Sequence, residues 1–331
     1  MAFSLNSFFA PSGTRFRLFA QSPVLEAFAE PETVWVSSPA RTVGPGPSDA
    51  RMYAVAPIDK KPYEGDNMPP YRGPTQAPVL PDADGHFDYL DVDDPGFRAA
   101  HLFGAVRRVL DVWEVYLGGP INWHFASTHT RLEMIPHVPW NNAHFGWGFM
   151  ECGEGADDLG AMRPFALNFD VIAHEVGHGL VFGIAGMPTS EGRTTAFRGF
   201  HESASDCAAM ISALHFDSFV AHVLQRTEGD LYVSNAMNRI GELSQSRQIR
   251  VASNGLTLDD VRPDHDHADK LTGKEVHALG QPLTGAIFDI GVELFEDRLV
   301  EFGLIPRAVA EKTRASVADG RIGDADSTAT T

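Results

Sequence analysis

The chain has 331 residues, 44 of them acidic and 26 basic, and its formal net charge at pH 7 is −18. Nucleic acid is excluded as a partner, because phosphate binding requires clustered lysine and arginine. The length allows a sizeable hydrophobic core, and the longest apolar runs fall short of the roughly 18–20 residues that span a bilayer, so we expect no membrane partner. Oligomeric state is not predicted by any of these quantities.

The N-terminal residues do not resemble a secretory signal. The first 14 residues carry no charge, but polar residues, Pro11 and Gly13 interrupt them, and Arg15 follows instead of preceding them. The two cysteines, Cys152 and Cys207, allow at most one disulfide and lack the spacing of a metal site. A cytoplasmic location is therefore the default expectation.

Loop structure is expected before the first long helix. Residues 39–81 contain 10 of the 22 prolines, which predicts an extended segment crossing a surface. Six aspartates follow among residues 82–94, where we expect a solvated turn region without calcium-loop spacing. From Phe97 to Leu117, apolar residues recur at helical spacing and predict a core-packed helix.

The remaining patterns predict an α+β fold with two lobes. Residues 121–152 are interpreted as short strands, and the chain beyond about Asp170 is interpreted as mainly helical. We therefore predict a strand-rich lobe over residues 1–165, which includes the proline-rich segment and one long helix. A helical lobe follows over residues 166–331, with the active-site cleft between the two. Its end is small and polar, so this second lobe is expected to have a frayed tail or, by comparison with the longer helical lobe of the relatives described below, to be truncated.

The sequence His174-Glu175-Val176-Gly177-His178 predicts a catalytic zinc helix. Histidines at i and i+4 lie on one helix face with Cβ atoms roughly 5–6 Å apart, so both rings can reach one ion at about 2.0–2.1 Å. Glu175 points about 100° away and can act on a water molecule as a base. Two ordinary core histidines would give the same spacing, but the apolar flanks favour a buried, functional helix.

A third protein ligand is expected downstream, because a catalytic zinc usually has three. Phe200 to Asp206 open a second predicted helix, on which Glu202 and Asp206 share one face. Glu202 can complete a His₂Glu site, and Asp206 can accept the second ring N–H of a ligand histidine. An acidic pair at this spacing is also common on solvated helix faces, but the apolar residues that follow favour the functional interpretation.

The two motifs together resemble those of the thermolysin-like zinc peptidases, or gluzincins, over about residues 97–300. The resemblance implies a Zn²⁺ cofactor, a peptide or protein substrate and, since most relatives are secreted, a secreted location. It implies that Asn142 and Ala143 hydrogen-bond the substrate backbone from an edge strand, and that Arg239 grips a substrate carbonyl. His277, in a stretch similar to the fungalysin-like branch, would be the second catalytic histidine.

Several departures from that family bear on the expectations. No tyrosine lies between His178 and Glu202 to match the family's transition-state tyrosine, so zinc and His277, aided by Arg239, would stabilise the oxyanion. Asp170 matches a calcium-ligand position, but the residues around Ala213 supply no partner acids, so calcium is not expected there.

Two other functions stay open at this stage. Gly148 to Cys152 weakly resembles the loop with which zinc aminopeptidases hold a substrate amine, which would make Glu151 an amine anchor and the enzyme an exopeptidase. A non-catalytic, zinc-stabilised peptide-binding protein is the other alternative. The expected function is a zinc endopeptidase, in which Glu175 transfers the proton.

Overall fold

The computed structural model describes residues 5–157, 159–241, 250–261 and 273–318. Its strands are β1 (Gly13–Leu18), β2 (Glu32–Pro39), β3 (Met52–Ala54), β4 (Leu132–Ile135), β5 (Ala143–Phe145), β6 (Phe149–Cys152), β7 (Glu154–Ala156), β8 (Met162–Pro164), β9 (Arg239–Ile240) and β10 (Arg250–Val251). Its α-helices are α1 (Leu5–Phe9), α2 (Phe97–Leu117), α3 (Phe169–Ala185), α4 (Thr195–Ala213), α5 (Asp217–Thr227), α6 (Gly273–Glu301) and α7 (Arg307–Ala318). The α+β class predicted from the sequence is confirmed.

A four-stranded sheet with the order β3-β4-β6-β5 lies beside the zinc-type helix α3. Strands β3, β4 and β6 run parallel, and α2 lies in the long connection that a parallel β3–β4 pair requires. Strand β5 pairs antiparallel with β6 and ends the sheet. Within the described ranges, its other side has no neighbouring strand, so one row of backbone groups faces outward.

Three helices of the second half pack closely because glycines lie at their contacts. A Cβ atom at Gly177 would lie 2.7 Å from the Ser205 Cα, so only glycine lets α3 approach α4 this closely. Gly199 of α4 faces Gly280 of α6, where a Cβ atom would lie 2.9 Å from the Gly199 oxygen. Helix α4 is therefore held between α3 and α6, and its residues can meet side chains from both.

One hydrophobic core contains residues from both halves of the chain. It extends from Phe16 on β1 through α2 and the central sheet to Phe288 on α6. No single helix in the described ranges is long and apolar enough to cross a membrane, although α4 and α5, bent by 94°, pass that test as a pair by length and composition.

The sequence-based elements agree with the structure in part. The apolar stripe predicts α2 at its observed bounds, and the short strands expected over residues 121–152 occur as β4, β5 and β6. The β1–β2 hairpin was not predicted, although Thr14, Phe16 and Leu18 alternate with arginines and are buried in the structure.

Candidate metal centre

Helix α3 places the HExxH residues at the boundary between the core and a cleft. The Asn168 side chain caps the helix by accepting a hydrogen bond from the Val171 N–H at 3.3 Å. Ile172, Ala173 and Val176 are fully buried, so the helix is anchored on several sides. His174 and His178 lie one turn apart with ring centroids separated by 4.8 Å.

Helix α4 brings Glu202 to these two histidines. Glu202 Oε2 lies 3.3 Å from His174 Nε2 and 3.9 Å from His178 Nε2. It also lies 2.9 Å from the Nε2 of His277, which α6 contributes. Bonds of about 2.0–2.1 Å to one tetrahedral ion would separate its ligand atoms by roughly 3.3 Å. The His174 separation matches that of a zinc site, and the His178 separation is longer. Among the described residues, ligand atoms within 4.8 Å of one another form two groups that share His174, one with Glu202 and His277 and one with Glu175 and His178.

The state of the Glu202 carboxylate supports a cation site. Its Oε2 is buried and has no partner in hydrogen-bond geometry within the described ranges, although three imidazole nitrogens surround it. Burial opposes ionisation, but His174 and His277 hold the pKa of Glu202 well below its usual range. A carboxylate oxygen together with imidazole nitrogens is a donor set that zinc prefers. A bound cation would also satisfy this buried, ionised oxygen.

Asp206 orients His174 from the side opposite the centre. Its Oδ1 lies 2.8 Å from His174 Nδ1 and accepts a hydrogen bond from Arg250 Nε at 2.9 Å. Burial alone would raise the pKa of Asp206, but Arg250 and His174 together lower it by a larger amount. The net shift of the pKa is therefore downward, and the carboxylate stays charged. With Nδ1 donating to Asp206, His174 presents Nε2 to the centre, as a metal ligand must.

His178 is oriented by a second histidine that the sequence analysis did not assign to this role. His178 Nδ1 lies 2.7 Å from His201 Nδ1, with the two rings within 6° of parallel, and 3.0 Å from Ser205 Oγ. Burial lowers the pKa of His201 to about 4, so its ring is neutral and can accept the His178 N–H. The position before Glu202 on the same helix was the only sequence signal for this contact.

Glu175 lies within 4.8 Å of ligand atoms of His174 and His178 but is not grouped with Glu202. Its Oε2 accepts a hydrogen bond at 2.9 Å from the backbone N–H of Phe145 on β5. Burial raises the pKa of Glu175 to about 7, although His174 lowers it. A carboxylate with a pKa near neutrality can both accept and return a proton at physiological pH.

The backbone of β5 presents two residues toward this site. Gly153 N–H donates a hydrogen bond to the Asn142 carbonyl oxygen, so the backbone N–H and C=O groups of even-numbered residues along β5 point toward β6. The Phe145 N–H instead reaches Glu175, so the odd-numbered Ala143 and Phe145 direct their backbone groups to the open edge. The backbone groups of Ala143 therefore lie on the side where an added strand would pair, although the residue is only 5% exposed, and the exposed Asn142 precedes it.

Arg250, and not Arg239, lies at the centre in this structure. Arg239 is on the neighbouring strand β9 and lines a cavity with Leu25, Phe28 and Asn235, and the histidines of the candidate centre are not among its lining residues. Arg250 is paired with Ile240 in the hairpin and reaches both Asp206 and His174. Sequence spacing alone could not identify the arginine, because the two-stranded pairing decides which side chain reaches the site.

Glu151 and Asp170 are occupied by contacts within the protein. Glu151 is fully buried, forms an ion pair with Lys60 and accepts hydrogen bonds from the Tyr63 N–H at 2.7 Å and from His144 at 2.9 Å. Asp170 accepts hydrogen bonds from Gln21 at 2.7 Å and Gly241 at 3.2 Å. Among the described residues, the groups of three or more metal-type side chains all include His174, so none forms around Asp170.

Comparisons with known proteins give distant structural likenesses only. No family model matches the sequence, and no curated protein matches it. Among solved structures, the chain is similar to the precursor of protealysin, a metalloproteinase from Serratia proteamaculans, at 12% sequence identity and a TM-score of 0.42. The likeness covers 88% of this chain and 92% of that one. At this level of similarity, it does not assign the chain to a family.

Proposed function

We propose that the protein is a zinc-dependent peptidase that cleaves within peptide chains. The observation that carries the proposal is the environment of the buried Glu202 Oε2, which has no hydrogen-bond partner in the described part of the chain and is surrounded by the Nε2 atoms of His174, His178 and His277. A second carboxylate, Glu175, lies next to this group without being part of it. A structural histidine cluster does not require a second carboxylate within 4.8 Å of ligand atoms on two of its rings.

In the proposed centre, His174, His178 and Glu202 hold the metal, with Asp206 and His201 fixing the two ring orientations. Bound zinc would polarise the scissile carbonyl and stabilise the negative charge that develops on its oxygen. Glu175 accepts a proton from the attacking water and delivers it to the leaving amine. His277 Nε2–H donates a hydrogen bond to the developing oxyanion.

The open edge of β5 would bind the substrate backbone as an added strand. Ala143 directs its N–H and C=O outward, toward the side on which Phe145 contacts Glu175. An extended peptide paired there would pass the base in a defined register, because strand pairing fixes alternate residues. This arrangement favours an endopeptidase, since a strand can continue along the edge in both directions.

An aminopeptidase would need an accessible carboxylate at Glu151 to bind the substrate amine. In the structure, Lys60, Tyr63 and His144 contact that carboxylate, so it is not accessible. A non-catalytic zinc protein would explain the ligands but would leave the position of Glu175, within 4.8 Å of ligand atoms of His174 and His178, without a role.

The proposed function is tested by hydrolysis of a denatured protein substrate. Cleavage should be abolished by a chelator and restored by stoichiometric zinc. Mapping the cuts by mass spectrometry distinguishes internal cleavage from stepwise removal of N-terminal residues. A zinc-loaded, folded protein that cleaves no substrate would contradict the proposal and favour the non-catalytic alternative.

A further inference from the structure

A cavity of about 430 Å³ lies beside the candidate metal centre and has no role in the mechanism above. Helix α3, helix α4 and the segment that joins them form most of its wall, and Glu202 lies at one end. The apolar part of the wall comprises Phe182, Met187, Pro188, Phe197 and Val276. The cavity is thus connected to the centre through a ligand residue.

Two arginines give the cavity a positive charge. Arg193 and Arg198 both line it and both are exposed. Within the described ranges, neither is recorded in a hydrogen bond or an ion pair, whereas Arg51, Arg107 and Arg250 are all paired with carboxylates. In a chain with a net charge of −18, two unpaired cations at one cavity favour an anionic occupant.

His201 adds a buried hydrogen-bond donor to the same wall. Its contact with His178 is a nitrogen-to-nitrogen hydrogen bond, which needs one donor and one acceptor. Because His178 Nε2 faces the centre, His178 Nδ1 carries the proton and His201 Nδ1 accepts it. The His201 proton is then on Nε2, which is buried and has no partner among the described residues.

We propose that this cavity is a substrate side-chain subsite that selects glutamate, with Arg193, Arg198 and the His201 Nε2–H as the groups that recognise its carboxylate. The inference rests on the proposed function, because it takes the occupant to be part of a peptide held at the centre. Phe182 and Phe197 would cover the methylene groups of the side chain. Aspartate has one methylene group fewer to place against these two rings.

The negative charge of Glu202 does not oppose the binding of a glutamate side chain in the cavity. Its carboxylate faces three imidazole nitrogens and not the arginines, and a bound cation would offset its charge. The free charges that remain on the cavity wall are both positive. An apolar side chain would fill the same volume but would leave the His201 donor unsatisfied.

Peptide binding tests the subsite without turnover. Glu175→Gln protein, loaded with zinc, is titrated with two fluorescein-labelled alanine-based octapeptides that carry either Glu or the isosteric Gln at the centre. Fluorescence anisotropy should show about tenfold tighter binding of the Glu peptide, as expected for charge-assisted hydrogen bonds. Equal affinities would overturn the subsite assignment.

Substitution of the arginines identifies the source of the preference. Arg193→Gln/Arg198→Gln in the same background should abolish the difference between the two peptides while leaving the affinity of the Gln peptide nearly unchanged. Arg226→Gln is the matched control, because Arg226 is also exposed and lines a different cavity. A control variant that loses the preference to the same extent would indicate a general charge effect and contradict the subsite.

Cleavage of a peptide library separates this inference from the proposed function. Wild-type protein should enrich glutamate at one fixed position from the cut, and Arg193→Glu/Arg198→Glu should replace it with lysine or arginine. Cleavage with an apolar preference that the variant does not alter would overturn the subsite and leave the peptidase intact. Absence of all cleavage, with the preference in binding retained, would overturn the peptidase and support the subsite as a binding site only.

Discussion

Glu202 is the residue on which the candidate centre depends, because it contacts histidines from both α3 and α6. Removal of one of three protein ligands should weaken zinc binding far more than removal of a group that only orients a ligand. Glu202→Ala should therefore release zinc under conditions in which Asp206→Asn retains it with an affinity lowered on the order of 10–100-fold. Competition with a chromophoric chelator measures both values.

If the Glu202→Ala protein bound stoichiometric zinc at wild-type affinity, the ligand assignment would be wrong. His277 would then be the next candidate, since its Nε2 lies within ligand distance of the same group. Thermal melts of both variants in the absence of metal show whether the fold is intact.

His277 is expected to act on the substrate and not to hold the metal. His277→Ala should keep zinc content and melting temperature and lower kcat by about 10²–10³, the loss typical of one oxyanion donor. Loss of zinc together with activity would instead identify His277 as a ligand. Metal analysis and steady-state kinetics on the same preparation distinguish the two results.

The raised pKa of Glu175 has a consequence for the stability of the zinc-free protein. Burial raises this pKa to about 7 in the folded state, against about 4.5 in the unfolded chain, so folding favours the protonated form. The contribution of Glu175 to stability is fully present below pH 4.5 and is lost as the pH rises through 7.

Glu175→Gln removes that loss because glutamine does not ionise. Relative to wild type, the zinc-free variant should become more stable between pH 5 and pH 8, by on the order of 1–2 kcal/mol after allowance for the partial exposure of the side chain. Urea unfolding at the two pH values measures the difference. The same stability difference at both pH values would contradict the raised pKa.

Local spacing predicts only some of these residues. The HEVGH sequence identifies His174, Glu175 and His178 because i and i+4 define a helix face without tertiary information. Glu202 and Asp206 follow from the same rule on a second helix. Arg250 and the His201–His178 contact could not be obtained in this way, because they depend on strand pairing in a hairpin and on how closely α4 approaches α3.

At the level of elements, the close approach of α3 and α4 requires Gly177. A methyl group there would meet Ser205, so Gly177→Ala should destabilise the protein by about 1–3 kcal/mol, as overpacking does, despite the better helix propensity of alanine. Gly291→Ala is the control, because its added Cβ meets nothing within 4 Å and it also lies inside a helix. That variant should be neutral or more stable by about 0.5–1 kcal/mol.

Equal effects of the two substitutions on the unfolding midpoint would indicate that α3 and α4 are less tightly packed than the structure describes. Zinc affinity provides a second measurement, since displacement of α4 moves Glu202 away from both histidines of α3. Gly177→Ala should therefore weaken zinc binding, whereas Gly291→Ala should not.

Element prediction succeeded where the pattern was long and periodic. Helices α2 and α3 were predicted because each has several turns of apolar residues. The β1–β2 hairpin was not predicted, although the alternation of buried and exposed residues in its strands is regular. Helix α6 continues through Pro282, which a sequence reading would treat as a break, because Thr284 and Gly280 hold it against α4.

At the level of the whole molecule, the two free cysteines report on whether the halves unfold together. Both are buried, Cys152 on β6 and Cys207 on α4, and burial raises the pKa of Cys207 to about 12 and that of Cys152 further. Both thiols should therefore react with a disulfide reagent only after the structure around them has opened. Since one core spans both halves, we expect the two opening rates to be similar.

The single variants Cys152→Ser and Cys207→Ser leave one reporter each, so the two rates can be measured separately in increasing urea. If the opening free energies reported by the two thiols both approach the free energy of global unfolding, the chain unfolds as one cooperative unit. Reaction of Cys207 at a much lower urea concentration than Cys152 would support the division into two lobes near residue 165.

If Glu175 transfers the proton at a metal centre built by its neighbours, the peptide-cleavage rate of the zinc-loaded Glu175→Gln protein should show the loss. Glutamine preserves the shape of the side chain but cannot accept a proton at neutral pH. We expect stoichiometric zinc, an unchanged fold, and a rate lowered by at least the 10²–10⁴-fold typical of losing a general base. A folded, zinc-loaded variant that cleaves near the wild-type rate would contradict it.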